Sequence, residues 1–443
     1  MNAVTTSRYV AEYDTLAPTL PGQSLSWLQQ LRKDALAKFS ANGFPSPREE
    51  EWRYTNVSVL EKKLFAPSLN PSISQTDTEA LKAQQLDDAW SIVLINGHFS
   101  AQHSRLDRLP AGVTVTSMAV ALGETQKLAS LLETHLGQVV KNNEHSLVAF
   151  NTAWFTDGVL VHVPAKQILA KPIQIVHIVT ETDAMATMRN LIIVDGMAEA
   201  QVIETFVGTD NAYLTSAVTE VFVGSNAHLT LTKMQVESEK AYHFGGTYIK
   251  QAKDARFTHH NFAFGGLLAR SDIHTDLDQA SECELNGLYL GIKRQHIDNH
   301  TRINHLKPYA ISREMYKGVL DDRAKGVFQG RVIVAEDAQK TDSQMNNRNL
   351  LLSDDAEADT KPQLEIYADD VKCGHGVTVG QLDEKSIFYL QSRSVDEETA
   401  RNMLTFAFAN EMVDKIKIKS LHDKVLEQVL VRFPQEGVEK DWL

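Results

Sequence analysis

From about residue 155 onward, the chain is a succession of short stretches in which apolar and polar residues alternate, with turn residues between them. Many of the apolar residues are β-branched, and the stretches recur at short intervals, at 159–163, 173–179, 191–194, 201–207, 218–223 and 228–234. No helical stripe of about 10–12 residues interrupts them, which excludes a parallel sheet built from βαβ units. An all-β sandwich, a barrel or a solenoid remain as candidate folds.

Local repetition favours the solenoid. The run FVGT at 206–209 recurs as FVGS at 222–225, and strand starts recur at one longer step, from 191 to 218 and from 201 to 228. A coil with a nearly constant turn length produces such equal steps. The same alternation of apolar and polar residues continues at 256–264, 282–290, 327–334 and 364–379. A strand-rich region of this length suits a solenoid better than a sandwich. The period is imperfect, so a sandwich stays open on these patterns alone.

The segments on either side of these strands have a different residue pattern. Residues 1–72 hold six of the twelve prolines and one helix candidate, and a strand follows at 91–97, which predicts a helical or α+β domain over 1–140. The segment EEEWRYT at 49–55 is expected to be an amphipathic turn that packs Trp52 and Tyr54 onto this domain. A β core is predicted over 141–394.

Helices are predicted for the remaining residues, 395–443. Ser394 and Glu397 have the spacing of a capping box, and a second helix is predicted from Ser420. The first helix is apolar on more than one side, because Phe406 and Phe408 cannot both face one core. The helix pair could be a cap for the solenoid, a docking surface for a partner, or both. Phe406, Phe408 and Met412 are the candidate partner-binding residues.

The composition of the chain limits which kinds of partner it can bind and indicates where in the cell it is found. The net charge of −13 argues against nucleic acid and against an anionic membrane surface, since both need a basic footprint. Two cysteines in 443 residues argue against a disulfide framework. We see no signal peptide and no run of about 18 apolar residues, and we therefore expect a cytoplasmic protein.

Cys373 and His375 form the candidate chemical site. On an extended strand, residues i and i+2 point to the same face, so the thiol and the imidazole would stand side by side. Zinc and iron–sulfur sites need about four donors, so these two residues would be half a site that a partner completes. A buried thiol beside a hydrogen-bonded histidine is the simpler interpretation of this spacing. A Cys/His thiolate enzyme is a further alternative, although no third orienting residue can be identified.

Other motifs are absent or ambiguous. The chain has no P-loop, no H-E-x-x-H, no C-x-x-C and no G-x-S-x-G. Cys283 alternates with Ser281 and Leu285 and is expected to be a core thiol. Six histidines concentrate in one zone, where they could form a metal or proton path or simply be hydrogen-bonded: His259, His260, His274, His296, His300 and His305. Because no carboxylate–histidine spacing repeats among them, hydrogen-bonded imidazoles are the favoured interpretation.

Longer motifs between Thr301 and Ile418 resemble the SufB/SufD family of iron–sulfur cluster assembly scaffolds. They are YKGV at 316–319, AKGVFQGR at 324–331, AQKTDSQMNNRNLLLS at 338–353 and PQLEIYADDVKCGHG at 362–376. The segment at 49–55 is similar to the family's N-terminal motif. Because the chain has few cysteines, it is most similar to the SufD branch.

The resemblance implies a mainly β fold, with a right-handed parallel β-helix between an N-terminal helical or α+β region and C-terminal helices. It implies a non-catalytic scaffold that acts with SufB and with SufC, an ABC-type ATPase docking on the C-terminal helices. His375, matched by motif, would be a ligand or essential group of an iron–sulfur site at the SufB interface, with Cys373 as its neighbour or co-ligand. The isolated chain would hold no cofactor tightly, and the nascent cluster would be shared with SufB. Pairing of the isolated chain with itself stays open.

Overall fold

The chain forms a two-sheeted parallel β-solenoid with helices packed outside both sheets. The computed structural model describes residues 3–68, 72–123, 126–140 and 145–433. The helices are α1 Ala3–Leu16, α2 Ser26–Asn42, α3 Ser58–Lys62, α4 Gln75–Gln84, α5 Met118–Gly123, α6 Gln126–His135, α7 Ser146–Trp154, α8 Glu384–Gln391, α9 Glu397–Val413 and α10 Lys419–Arg432. Short 3₁₀ turns lie at Ala17–Thr19, Glu50–Trp52 and Ala101–His103.

The strands continue through most of the chain. They are β1 Ala66–Pro67, β2 Trp90–Ile95, β3 His98–Phe99, β4 Thr114–Ser117, β5 Val159–Val163, β6 Ile173–Val179, β7 Ala184–Val194, β8 Glu199–Gly208, β9 Leu214–Val223, β10 His228–Gln235, β11 Tyr242–Gln251, β12 Arg256–Ala263, β13 Leu268–Leu277, β14 Glu282–Gly291, β15 His296–His305, β16 Ile311–Leu320, β17 Lys325–Val334, β18 Asp342–Leu351, β19 Glu357–Ile366 and β20 Lys372–Gly380. The strands predicted at 159–163 and 173–179 coincide with β5 and β6.

From β5 to β20, successive strands alternate between the two sheets. Sheet A contains the odd-numbered strands and ends at β19, and sheet B contains the even-numbered strands and ends at β20. Neighbours within a sheet are parallel, except β2 with β3 and β4 with β5. Each turn of the coil therefore contributes one strand to each sheet, and the mainly β solenoid predicted from the sequence is confirmed.

The length of a turn differs from the step predicted from the strand starts. Leu191 pairs with Glu220 and Gln201 with Thr230, so each partner lies slightly beyond the predicted positions 218 and 228. Other turns are shorter, as between the paired Tyr242 and Leu268, or longer, as between Lys325 and Glu357. The loops between strands vary in length while the paired strands stay in register. The sequence therefore shows no constant period.

The space between the sheets is filled by one long apolar core. Inward residues stack in columns because parallel strands keep their register; one such column contains Phe257, Cys283 and Ser312. Glycine makes room where a large ring enters the core, since a Cβ at Gly287 would lie 2.1 Å from the Tyr316 ring. Cys283 is buried in this core, as expected for a structural thiol.

Most N-terminal helices cover the outer face of sheet A, whereas Leu81 of α4 packs on Val93 and Val176 of sheet B. Aromatic side chains of α2 and α7, including Phe39, Phe150 and Trp154, pack against Met185, Leu214, Phe244 and Leu268 of the odd-numbered strands. Strands β2 to β4 lie within 1–140, yet they extend both sheets, because β2 pairs with β6 and β4 with β5. The segment 1–140, predicted as an N-terminal domain, thus contributes strands to both sheets of the solenoid.

The C-terminal helices cover the outer face of sheet B. Residues of α9 and α10, such as Met412 and Val425, pack on Phe262, Leu288 and Val319 of the even-numbered strands. Residues 434–443 of the predicted helical segment lie outside the described residues.

The capping box expected at Ser394 is wrong. Asp396 caps α9 instead, because its side chain accepts a hydrogen bond from the Thr399 N–H at 3.0 Å. Ser394 has a positive φ of 67° in the turn before the helix.

Candidate functional site

Strand β20 carries Cys373 and His375 at the end of sheet B. It pairs with β18 on one side, placing Cys373 beside Ser343 and His375 beside Met345. Its other edge has no strand partner among the described residues, and the same holds for β19 in sheet A. The solenoid therefore stops with an open end, which we define as the final turn, β19 and β20.

Both candidate side chains are on the inner face at this open end. Ser343 and Met345, their neighbours in register, are almost fully buried. In a parallel pair, residues opposite one another share a face, so Cys373 and His375 point to the same side as these two residues. Cys373 is half-buried against the interior core, whereas His375 is exposed because no further turn covers it.

The environment of Cys373 does not favour a free thiolate. Burial raises the pKa of the thiol, the negative charge of Asp342 raises it further, and a backbone hydrogen bond from Ser343 opposes the rise. A reactive cysteine needs the opposite shift. A metal ion or iron–sulfur fragment bound here would displace the proton, since only the thiolate is a good ligand.

As metal ligands, the two residues would make an incomplete donor set. Within the described ranges, no group of three or more His, Cys, Asp or Glu side chains is arranged to hold a metal ion. Cys373 and His375 together offer two of the roughly four donors that zinc and iron–sulfur sites require. The exposed position of His375 leaves space for further donors from outside the chain.

The histidine zone divides between the two faces of the sheets. His259 and His305 are buried in the interior, and burial lowers the pKa of His259 to about 3 and of His305 to about 4. His300 lies on the outer face of sheet A, where its Nε2 is 3.0 Å from Asp298. Such carboxylate–histidine contacts join residues on neighbouring strands, or residues two positions apart on one strand. They therefore leave no single repeated spacing in the sequence.

The predicted partner-binding residues of α9 lie against the solenoid. Phe406 and Met412 are buried between α9 and sheet B, and Phe408 is half-buried with the Lys317 ammonium 4.4 Å from its ring centre. Neither Phe406 nor Met412 is available to a partner in this arrangement, because the face of α9 that contains them packs on sheet B.

Exposed apolar side chains are found instead on α8, a helix that sequence reasoning missed. Phe388 and Tyr389 are 71% and 57% exposed, while Ile387 anchors the helix. The helix lies within the segment predicted as β core, and its eight residues are too few for a helical period to stand out.

Among the described helices, none combines the length and apolar character needed to cross a membrane.

Comparison with known proteins gives matches over nearly the whole chain. Residues 3–175 match the SufBD protein N-terminal region, and residues 177–408 match the SufBD core domain of the SUF system for FeS cluster assembly. The chain is 33% identical to the iron–sulfur cluster assembly protein SufD of Escherichia coli, with 93% of each chain covered. It is 31% identical to an iron–sulfur cluster assembly SufBD family protein of Synechocystis, covering 97% of this chain and 98% of the relative. SufD of Bacillus subtilis is 24% identical over 92% of this chain and 94% of its own.

Proposed function

Because the chain belongs to the SufBD family of iron–sulfur cluster assembly proteins, we propose that it is the SufD-type, non-catalytic scaffold subunit of a SufBCD complex. In this complex it supplies His375, with Cys373 as neighbour or co-ligand, to a cluster-building site shared with SufB. The nascent cluster is the cargo of the complex and is not a resident cofactor of this chain. The reducing cytoplasm keeps the thiol ligand available.

One observation supports this proposal above the others: the two donors lie on the last strand, facing the open end. Among the described residues, no further turn covers the inward side chains of β20, and the outer edge of the strand is unpaired. A sister solenoid that paired with this edge would bring its own side chains next to His375. SufB would then complete the donor set.

Contacts of α9 would connect the site mechanically to ATP hydrolysis by SufC. The buried Lys317 of β16 donates to the Phe408 carbonyl of α9 at 2.9 Å and pairs with Glu411. Strand β16 pairs with β18, which pairs with β20. If SufC docks on the C-terminal helices, with exposed Phe388 and Tyr389 of α8 as contacts, closure of the ATPase pair would pull on α9 and shift β20 with its two donors.

The test is His375→Ala in the reconstituted complex. We expect the variant to co-purify with SufB and SufC while anaerobic cluster formation on the complex is abolished, because an exposed imidazole contributes little to folding. His228→Ala is the matched control, since His228 is a half-exposed histidine on the outer face of β10, and it should leave cluster formation unchanged. Loss of complex assembly by His375→Ala would instead make the residue structural and contradict the proposal.

A Cys/His thiolate enzyme is the alternative function, and the site argues against it. The raised pKa of Cys373 leaves little thiolate at neutral pH. Rapid alkylation of Cys373 by iodoacetamide in the isolated chain, together with turnover that Cys373→Ser abolishes, would establish the enzyme and overturn the scaffold.

A further inference from the structure

A polar cleft lies on the outer face of sheet A, away from Cys373 and His375. It encloses about 220 Å³ between the 3₁₀ turn at Glu50–Trp52 and the last strands of the sheet. Most of the side chains that line it are charged or carry an amide. We call it the outer cleft and define it by Glu50, Glu51, Arg302, Gln329, Arg331 and Lys361.

The floor of the outer cleft consists of two columns of paired residues. One column runs His300, Gln329, Lys361 and the other Arg302, Arg331, Gln363, each across β15, β17 and β19. Arg302 and Arg331 are therefore direct neighbours on adjacent strands, about 4.8 Å apart along the sheet. Like charges placed opposite one another repel, so the fold needs an anion nearby to hold both.

Three basic side chains and three carboxylates line the cleft, and the carboxylates pair with two of the three bases. Arg331 binds Glu365, with Nε–Oε1 at 2.7 Å, and Lys361 binds Glu50. The Nε of Arg302 donates to the neutral Asn304 amide at 3.1 Å, and its terminal nitrogens have no partner among the residues described. The remaining carboxylate, Glu51, is on the exposed rim.

Gln329 adds a second donor without an acceptor. This side chain is only 8% exposed, and its amide Nε2 has no hydrogen-bond partner among the described residues. A buried donor that remains unsatisfied is unfavourable, because it has lost its hydrogen bonds to water. The side chain lines the outer cleft next to Lys361, so an acceptor atom within the cleft would satisfy it.

The wall opposite these donors is held rigidly. The guanidinium of Arg270 lies 3.6 Å from the centre of the Trp52 ring and donates to the Glu51 carbonyl at 2.7 Å. Thr55 donates to Asp298 at 2.5 Å. The cleft is thus preformed, which reduces the ordering cost of binding.

We propose that the outer cleft is a binding site for a small oxyanion, the phosphate or carboxylate group of a small molecule, held by Arg302 and Gln329. The guanidinium fork suits the paired oxygens of either group. Glu50, which is exposed, competes for Lys361 when the site is empty, and its displacement would free a third donor. This site is independent of the cluster-building function and can exist without it.

The experiment is calorimetric titration of the full chain with inorganic phosphate and, separately, with succinate, at constant ionic strength. Saturable binding of either anion is expected. Arg302→Gln should weaken it about tenfold or more, because a charge-assisted pair is lost. Gln329→Leu should also weaken it, and Glu50→Gln should strengthen it by removing a competing carboxylate.

Arg256→Gln is the matched control, since Arg256 is an exposed arginine on β12 of the other sheet and pairs with Glu282. It should leave the affinity unchanged. Binding of phosphate alone, or of succinate alone, supports the site and identifies which group it takes. If neither anion saturates, or if Arg302→Gln and Arg256→Gln weaken binding equally, the proposal is wrong. Thermal unfolding without ligand verifies that each variant is folded.

Discussion

At the scale of single residues, the interior of the solenoid contains ionisable groups that most cores exclude. Glu314 lies on the inner face of β16, between Leu285 of β14 and Met345 of β18. It is buried, and burial raises the pKa of its carboxyl group to about 7, with the Thr301 hydroxyl opposing the rise. A carboxyl group in such a setting is most stable in its neutral form.

Glu314→Gln should therefore stabilise the protein in a pH-dependent way. Below pH 4.5, the ordinary pKa of the group, the wild-type carboxyl is protonated in both the folded and the unfolded chain, and the two proteins should be equally stable. Above pH 7 the wild type must keep the folded carboxylate buried, which costs roughly 3 kcal/mol. Urea unfolding of both proteins at several pH values measures the difference.

The control for this prediction is Glu282→Gln, at an exposed position on β14. Its effect on the free energy of unfolding should stay within about 0.5 kcal/mol at every pH. A difference between wild type and Glu314→Gln that does not change with pH would show that Glu314 does not titrate in this range.

At the scale of elements, α9 is fastened to the sheet by a polar contact inside an apolar interface. The side chain of Lys317 is almost fully buried, and it binds the Phe408 carbonyl and the Glu411 carboxylate while its ammonium lies over the Phe408 ring. Three interactions satisfy one buried charge, which makes its removal costly. This contact fixes the position of α9 along β16.

Lys317→Ala should loosen α9 and α10 without unfolding the solenoid. The expected cost is about 1.5–3 kcal/mol, the range for hydrogen bonds to a charged group. Hydrogen exchange should speed up at the amides of α9 and remain slow in β9 to β14. Lys385→Ala, at an exposed position on α8, is the control and should change neither. Equal exchange in α9 for both variants would rule out this anchoring role.

At the scale of the whole molecule, the two ends of the solenoid differ. At the first turns, β3 pairs antiparallel with β2 and β4 with β5, and helices α5 and α6 pack on the outer face of β5 and β7. At the open end, no residue of β20 is fully buried, and inward Val379 is 46% exposed. An unpaired edge of this kind is a template for another strand.

The isolated chain is therefore expected to pair with itself through the open end. Val379→Lys should weaken this self-association, because a charge on an edge strand opposes pairing. Sedimentation equilibrium over a range of concentrations measures it. Val431→Lys, at a 69% exposed position on α10, is the control. A dimer that withstands Val379→Lys would place the contact elsewhere.

Local sequence patterns determine where strands of this protein lie and which family it belongs to. Alternation and β-branched residues located β5 and β6 to the residue, since a strand's pattern depends on neighbours two positions away. The motif around His375 indicated the family, and the family comparison confirmed it.

Contacts between distant residues decided the rest. The length of the solenoid turns at Leu191 and Gln201 follows from strand pairing. The contact between Lys317 and Glu411, which are 94 residues apart, helps to orient the Phe406 face of α9 toward the sheet. The open end of the coil and the outer cleft likewise exist only once the sheets are assembled. Register and burial are properties of neighbours in space, and the order of residues along one segment does not contain them.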